Sequence, residues 1–141
     1  MSELKSILVI DDSPTDVFII KKFLKRLLPE FNLESKSNGM EALEFFRAQV
    51  RKQSSDNPKF EYQLILLDIN MPKMNGFEFM DQFEKEFAQD EFFKDAIFVV
   101  CSSSQNEADL KNAFERERIN DFIVKPIELR KFEEVIQEYF P

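Results

Sequence analysis

Four short apolar runs in this chain each end on residues that can do chemistry. Residues 7–10 lead into Asp11-Asp12-Ser13, 64–67 into Asp68, 97–100 into Cys101-Ser102, and 122–124 into Lys125-Pro126. Brought together, these ends supply three carboxylates, a hydroxyl and an ammonium group. Clustered carboxylates repel one another, and either raise their own pKa values or destabilise the fold. A hard divalent cation with oxygen ligands removes the conflict, and magnesium suits a site with few carboxylates and several waters. Mg²⁺ and Lys125 together would formally offset three ionised aspartates. Such a pocket can accept a phosphoryl group, with the cation and the lysine drawing charge from its oxygens. Asp68 is the candidate nucleophile, because it stands alone after its run. Asp11 and Asp12 sit together as a metal pair.

The composition removes competing chemistries. No histidine is present, so this chain has no Ser-His-Asp triad, no Cys-His pair, and no histidine base or zinc ligand. The single cysteine, Cys101, excludes an intrachain disulfide and a CxxC site, and reads as a core residue. Gly39 and Gly76, the only two glycines, lie too far apart for a glycine-rich phosphate loop. With 27 acidic against 19 basic side chains, the net charge of -8 argues against a nucleic-acid surface. The longest apolar run, 96–101, falls far short of the roughly 20 residues a membrane span needs. One thiol and no export signal point to a reducing cytoplasm.

The elements that must position the site follow from periodicity. None of the four runs alternates polar with apolar residues, so each reads as a strand covered on both faces. Residues 31–36 do alternate and suit an edge strand. Between the strands lie helical patterns. Ser13-Pro14 opens the first, with Val17, Ile20, Leu24 and Leu28 on one face. Asn38 caps the second, with Met40, Leu43, Phe46 and Val50 inward. Phe77, Met80, Phe83 and Phe87 mark the third, and residues 104–107 form a capping-box sequence for the fourth. Leu129, Phe132, Ile136 and Tyr139 mark the fifth. The order βα repeated five times predicts a doubly wound α/β domain with a five-stranded parallel sheet. Ligands of such sheets bind beyond the carboxyl ends of the strands, where the four chemical runs end.

These residues also resemble a known family. Residues 7–13, Ile-Leu-Val-Ile-Asp-Asp-Ser, look like the start of a response-regulator receiver domain. Residues 64–76, Leu-Ile-Leu-Leu-Asp-Ile-Asn-Met-Pro-Lys-Met-Asn-Gly, resemble its phosphoacceptor segment. Val99 to Ser104 resembles its switch hydroxyl region, and Phe122 to Pro126 its lysine-proline end. The resemblance covers nearly the whole chain and implies a flavodoxin-like sheet of strand order 2-1-3-4-5. It implies a single receiver domain over residues 1–141 with no effector domain. Asp68 would be phosphorylated from a phosphohistidine, Asp12 would bind Mg²⁺ directly, and Asp11 would do so mainly through water. The Asn70 backbone carbonyl would complete the protein ligands. Lys125 would pair with the phosphoryl group across a cis peptide to Pro126, Ser102 would move toward it, and Phe122 would swing inward.

The implied partners are a sensor histidine kinase or a histidine phosphotransfer protein, and a downstream protein on the face of the fourth helix, fifth strand and fifth helix. Monomer and phosphorylation-dependent homodimer both remain open. Such a protein is a phosphoacceptor switch, catalysing at most its own phosphorylation and dephosphorylation. A carrier or sink in a phosphorelay is the alternative. A haloacid-dehalogenase-type hydrolase fits poorly, because the first strand ends in Asp11-Asp12-Ser13 rather than a DxD pair. Two departures stand out: Arg118 occupies a place where receivers commonly have glycine, and the loop over residues 51–62 is extended, as in single-domain receivers that serve phytochrome-type kinases.

Overall fold

The computed structural model describes residues 4–103 and 106–141, and each apolar run is a strand in it. In chain order the elements are β1 (Ser6–Ile10), α1 (Pro14–Leu27), β2 (Asn32–Lys36), α2 (Gly39–Arg51), β3 (Leu64–Leu67), α3 (Gly76–Phe87), β4 (Ile97–Ser102), α4 (Glu107–Phe114), β5 (Ile119–Val124) and α5 (Leu129–Tyr139). The strands form one parallel sheet in the order β2-β1-β3-β4-β5. The expected doubly wound α/β architecture and its strand order are both present, with the alternating strand β2 at an edge. Every residue of β1 and β3 is buried, because helices cover both faces of the sheet.

Alternation along the strands divides the core in two. Leu8, Ile10, Ile65, Leu67, Phe98 and Val100 face one cluster, which includes side chains of α2 and α3. Ile7, Val9, Leu64, Leu66, Val99 and Cys101 face the other, shared with α1 and α5. The first cluster is built largely from phenylalanine. The Phe46 ring stacks on Phe60 at 4.9 Å and meets Phe79, Phe83, Phe93 and Phe98 at 5.2–6.4 Å. Offset and edge-on geometries of this kind suit the ring quadrupole.

The extended loop before β3 is tied to this cluster rather than loose. Phe60 is buried, and its N–H donates to the Phe92 carbonyl at 2.9 Å. Phe92 belongs to a short 3-10 turn, Glu91–Phe93, that the apolar pattern did not separate from α3. Arg118 closes the same end of the core. Its Nη2 donates to the Phe93 carbonyl at 2.6 Å, and its guanidinium lies 5.4 Å from the Phe98 ring centre. Burial lowers its pKa, with Glu84 opposing. A glycine at this position would supply none of these contacts.

Local differences from the sequence reading have identifiable causes. Met40 does not point inward but is 45% exposed. Gly39 takes the inner place against the Met74 backbone, and the buried stripe of α2 runs through Ala42, Leu43 and Phe46. In α3, Phe79 is fully buried, whereas Phe77 is only half-buried with the Arg116 guanidinium 4.7 Å above it. Ser104 and Gln105 of the expected capping box lie outside the described residues. The cap of α4 is Asn106, whose side chain accepts from the Ala108 N–H at 2.8 Å. The fifth strand begins three residues earlier than its apolar run. There Asn120 Oδ1 accepts from the Phe98 N–H at 2.9 Å across the register shift at Phe98/Val99. The Tyr139 hydroxyl then fastens α5 to this strand, donating to the Asn120 carbonyl at 2.8 Å.

Because Phe46 sits among so many rings, Phe46→Ala is expected to cost about 3–5 kcal/mol through lost transfer energy and a cavity. Urea denaturation measures this. A loss below about 1 kcal/mol would mean that the ring cluster collapses around the gap.

Candidate functional site

Strand register brings the four chemical ends together. Ile10 pairs with Leu67, Leu67 with Val100, and Val100 with Phe122. The row immediately beyond is therefore Asp11, Asp68, Cys101 and Ile123. Both aspartates are held by their backbones: the Asp11 N–H donates to the Lys36 carbonyl at 2.9 Å, and the Asp68 N–H to the Ile10 carbonyl at 2.8 Å. Asp11 is 5% and Asp68 6% exposed, and Asp12 is open to solvent.

One carboxylate oxygen from each of Asp11, Asp12 and Asp68 lies within 4.8 Å of the other two. That donor set is oxygen-only and trianionic, which fits a hard divalent cation. Burial and the charges of Asp11 and Asp12 push the Asp68 carboxyl up to about 6, against the opposing charge of Lys125. A backbone hydrogen bond from Asn70 also opposes the rise. Part of the repulsion expected from the sequence thus falls on Asp68, added to the effect of its burial.

Lys125 enters from the end of β5. Its Nζ lies 2.8 Å from Asp11 Oδ2, 2.8 Å from Asp16 Oδ2 and 3.6 Å from Asp68 Oδ1. Burial works against the ammonium. Hydrogen bonds to Asp11 and Asp16 and the fields of Asp11 and Asp68 outweigh it, so its pKa stands above the ordinary lysine value. The Lys125–Pro126 peptide is cis, and the Lys125 N–H donates to the Ser102 carbonyl at 2.8 Å. Ser102 itself is fully buried at the end of β4, and Phe122 lies inward in the phenylalanine-rich cluster. Cys101 shares the row but faces the other core, and burial raises its thiol pKa, which keeps it protonated and inert.

Asp16 was missed by the sequence reading. It follows the Ser13 cap in the first turn of α1, where an acidic residue ordinarily complements the helix dipole. The available signal was geometric. Side chains in a helix lean toward its N-terminus, so a carboxylate in this turn leans back over the strand ends.

The loop after β3 is set by close approach. A Cβ on Gly76 would lie 2.4 Å from the Asp68 carbonyl oxygen and 2.9 Å from Ile69 Cα. The Gly76 N–H donates to the Ile69 carbonyl at 2.8 Å, which folds the segment back on itself. Lys73 adopts φ of 67°, a left-handed turn conformation, within that segment.

Comparisons with known proteins agree with this arrangement. The family model described as "Response regulator receiver domain" matches residues 7–137. The response regulator Rcp1 of Synechocystis is 29% identical over 94% of this chain and 84% of its own. The chemotaxis protein CheY1 of Helicobacter pylori is 32% identical over 85% of this chain and 84% of its own. Among solved structures, the bacteriophytochrome response regulator AtBRR is 27% identical with a TM-score of 0.71, covering 97% of this chain and 93% of that one.

Two measurements follow from this geometry. Between pH 3.8 and about 6 the folded chain keeps a proton on Asp68 that the unfolded chain has lost, so stability falls as pH rises through that window. Asp68→Asn without added metal is therefore expected to be more stable than wild type at about pH 7.5, by up to about 3 kcal/mol. The gain should shrink toward about pH 4, and a variant less stable than wild type at the higher pH would contradict the assignment. Gly76→Ala should destabilise the chain by at least about 2 kcal/mol, since the new methyl meets the backbone of Asp68 and Ile69. Thermal melts decide it, and an unchanged melting temperature would contradict the close approach.

Proposed function

The chain belongs to the response regulator receiver domain family, and from that premise we propose that Asp68 accepts a phosphoryl group from the phosphohistidine of a sensor histidine kinase or a histidine phosphotransfer protein. The observation that carries this reading is the surroundings of Asp68, with carboxylate oxygens of Asp11 and Asp12 within 4.8 Å and the Lys125 ammonium at 3.6 Å. A carboxylate oxygen of Asp68 attacks phosphorus, the new O–P bond forms, and the P–N bond to the donor imidazole breaks. The fit of three clustered carboxylates supports a Mg²⁺ ion held by Asp11, Asp12, Asp68 and the Asn70 backbone carbonyl. When bound, the ion offsets charge on the phosphoryl oxygens.

The remaining work falls to side chains of this chain. Lys125 supplies a fixed positive charge beside the transferring group. The Ser102 hydroxyl, at the end of β4, turns toward the phosphoryl oxygens, while Phe122 holds the inward position behind it. This couples a charge change to the α4–β5–α5 face. Leu110, Phe114 and Val124 are exposed there and line a groove with Pro126 and Lys131. A groove that sets apolar residues beside Glu128, Arg130 and Glu134 in this way suits a downstream protein partner. The protein is a phosphoacceptor switch rather than an enzyme with turnover, acting in the cytoplasm as a monomer or a phosphorylation-dependent homodimer. The likeness to a bacteriophytochrome response regulator supports a phytochrome-type kinase as donor.

Incubation with a small phosphodonor such as acetyl phosphate and Mg²⁺ should add one acid-labile phosphate per chain, seen by intact-mass analysis. Chelating the metal, or Asp68→Asn, should remove the label. Normal labelling of Asp68→Asn would move the acceptor elsewhere.

A further inference from the structure

Lys125 is held most tightly where its charge is least needed for phosphoryl transfer. Its ammonium is 2.8 Å from both Asp11 and Asp16, but 3.6 Å from the Asp68 oxygen that would carry the phosphoryl group. Asp11 has a second role as part of the three-carboxylate cluster, whereas Asp16 lies outside that cluster. Its side chain is 28% exposed, on the first turn of α1 at the mouth of the site. The backbone there is fixed by Pro14 at the start of the helix and by the Ser13 cap, which accepts from the Asp16 N–H at 3.2 Å. A carboxylate held this way draws the ammonium away from Asp68 and toward α1.

The geometry points to Asp16 as a positioning residue that competes with the phosphoryl group for Lys125, and so sets how tightly the phosphorylated state is held. This rests on the phosphoacceptor reading of Asp68. Before transfer, Asp16 and Asp11 share the ammonium and keep it paired. Once an anionic group stands on Asp68, Lys125 must exchange a charge-assisted bond to Asp16 for one to that group. Asp11 cannot be the bond released so readily, because it lies deeper and adjoins the other carboxylates. Asp16 therefore acts as a built-in counter-anion that weakens the phosphoryl-bound form.

Titration of the full chain with beryllium fluoride at saturating Mg²⁺, followed by calorimetry, tests this, since fluoroberyllate mimics the phosphoryl group. Asp16→Asn is expected to bind about fivefold more tightly than wild type, the scale of one partly exposed charge pair. Asp16→Glu keeps the charge in the same helical turn and should return affinity to near the wild-type value. A purely structural role in α1 would not separate these two variants. Asp56→Asn, in the loop before β3 at the opposite end of the sheet, makes the same change in net charge and should leave affinity unchanged. Equal or weaker binding by Asp16→Asn overturns the competition, as does equal tightening by Asp16→Glu or by Asp56→Asn. If wild type itself fails to bind fluoroberyllate, the phosphoacceptor reading fails and this inference with it.

Discussion

Placing three carboxylates within 4.8 Å of one another at the buried end of a sheet is the constraint on which the rest of this structure depends. Like charges at that separation oppose folding unless positive charge or protons offset them. The chain answers in three ways at once. Lys125 pairs with Asp11 and lies 3.6 Å from Asp68, Asp68 gives up part of its acidity, and Asp12 remains open to solvent. Each answer is incomplete, which leaves the pocket receptive to a further cation and, through it, to an anion. Receptivity here is the remainder of an unfinished charge balance, maintained by a fold whose stability comes from elsewhere.

That stability comes from apolar layers on both faces of the sheet, and it explains which features could be read in the sequence. Strands β1, β3 and β4 are continuous apolar runs because helices cover both sides, so their ends and the residues beyond them were visible at once. Asp11, Asp12, Asp68, Ser102 and Lys125 are single-residue consequences of where such runs stop. The start of β5 was hidden because Asn120 replaces a ladder bond with its side chain, a polar residue acting as backbone would. Met40 was misplaced because helical spacing alone cannot say that a glycine one residue earlier takes the inner position. Asp16 was hidden for another reason. Its partner lies 109 residues away, and no local pattern encodes that meeting.

Arg118 shows how a departure from a family's usual residue is accommodated. A glycine there would leave the opening of β5 without a side-chain tie to the 3-10 turn. The arginine instead spans from β5 to the 3-10 turn and lies over a phenylalanine ring, at the cost of partial burial of its charge. The extended loop before β3 reaches the same turn through Phe60. Both departures thus converge on one end of the molecule, away from the strand ends that carry the site. They reinforce a rigid base beneath the region where charge must be able to rearrange.

The hydroxyl that fastens α5 to β5 has an optical consequence. The chain has no tryptophan and two tyrosines, Tyr62 and Tyr139, so tyrosine fluorescence arises from these two rings. Tyr62 lies against Phe45 and Phe60 in the packed base. Tyr139 lies along the edge strand that runs into Lys125, its hydroxyl bound to Asn120 and 3.3 Å from an Asp121 carboxylate oxygen. One ring is therefore packed among phenylalanines, and the other is hydrogen-bonded to the strand that feeds the site. The two rings emit in one band, so their fluorescence is a single summed signal that needs no added label.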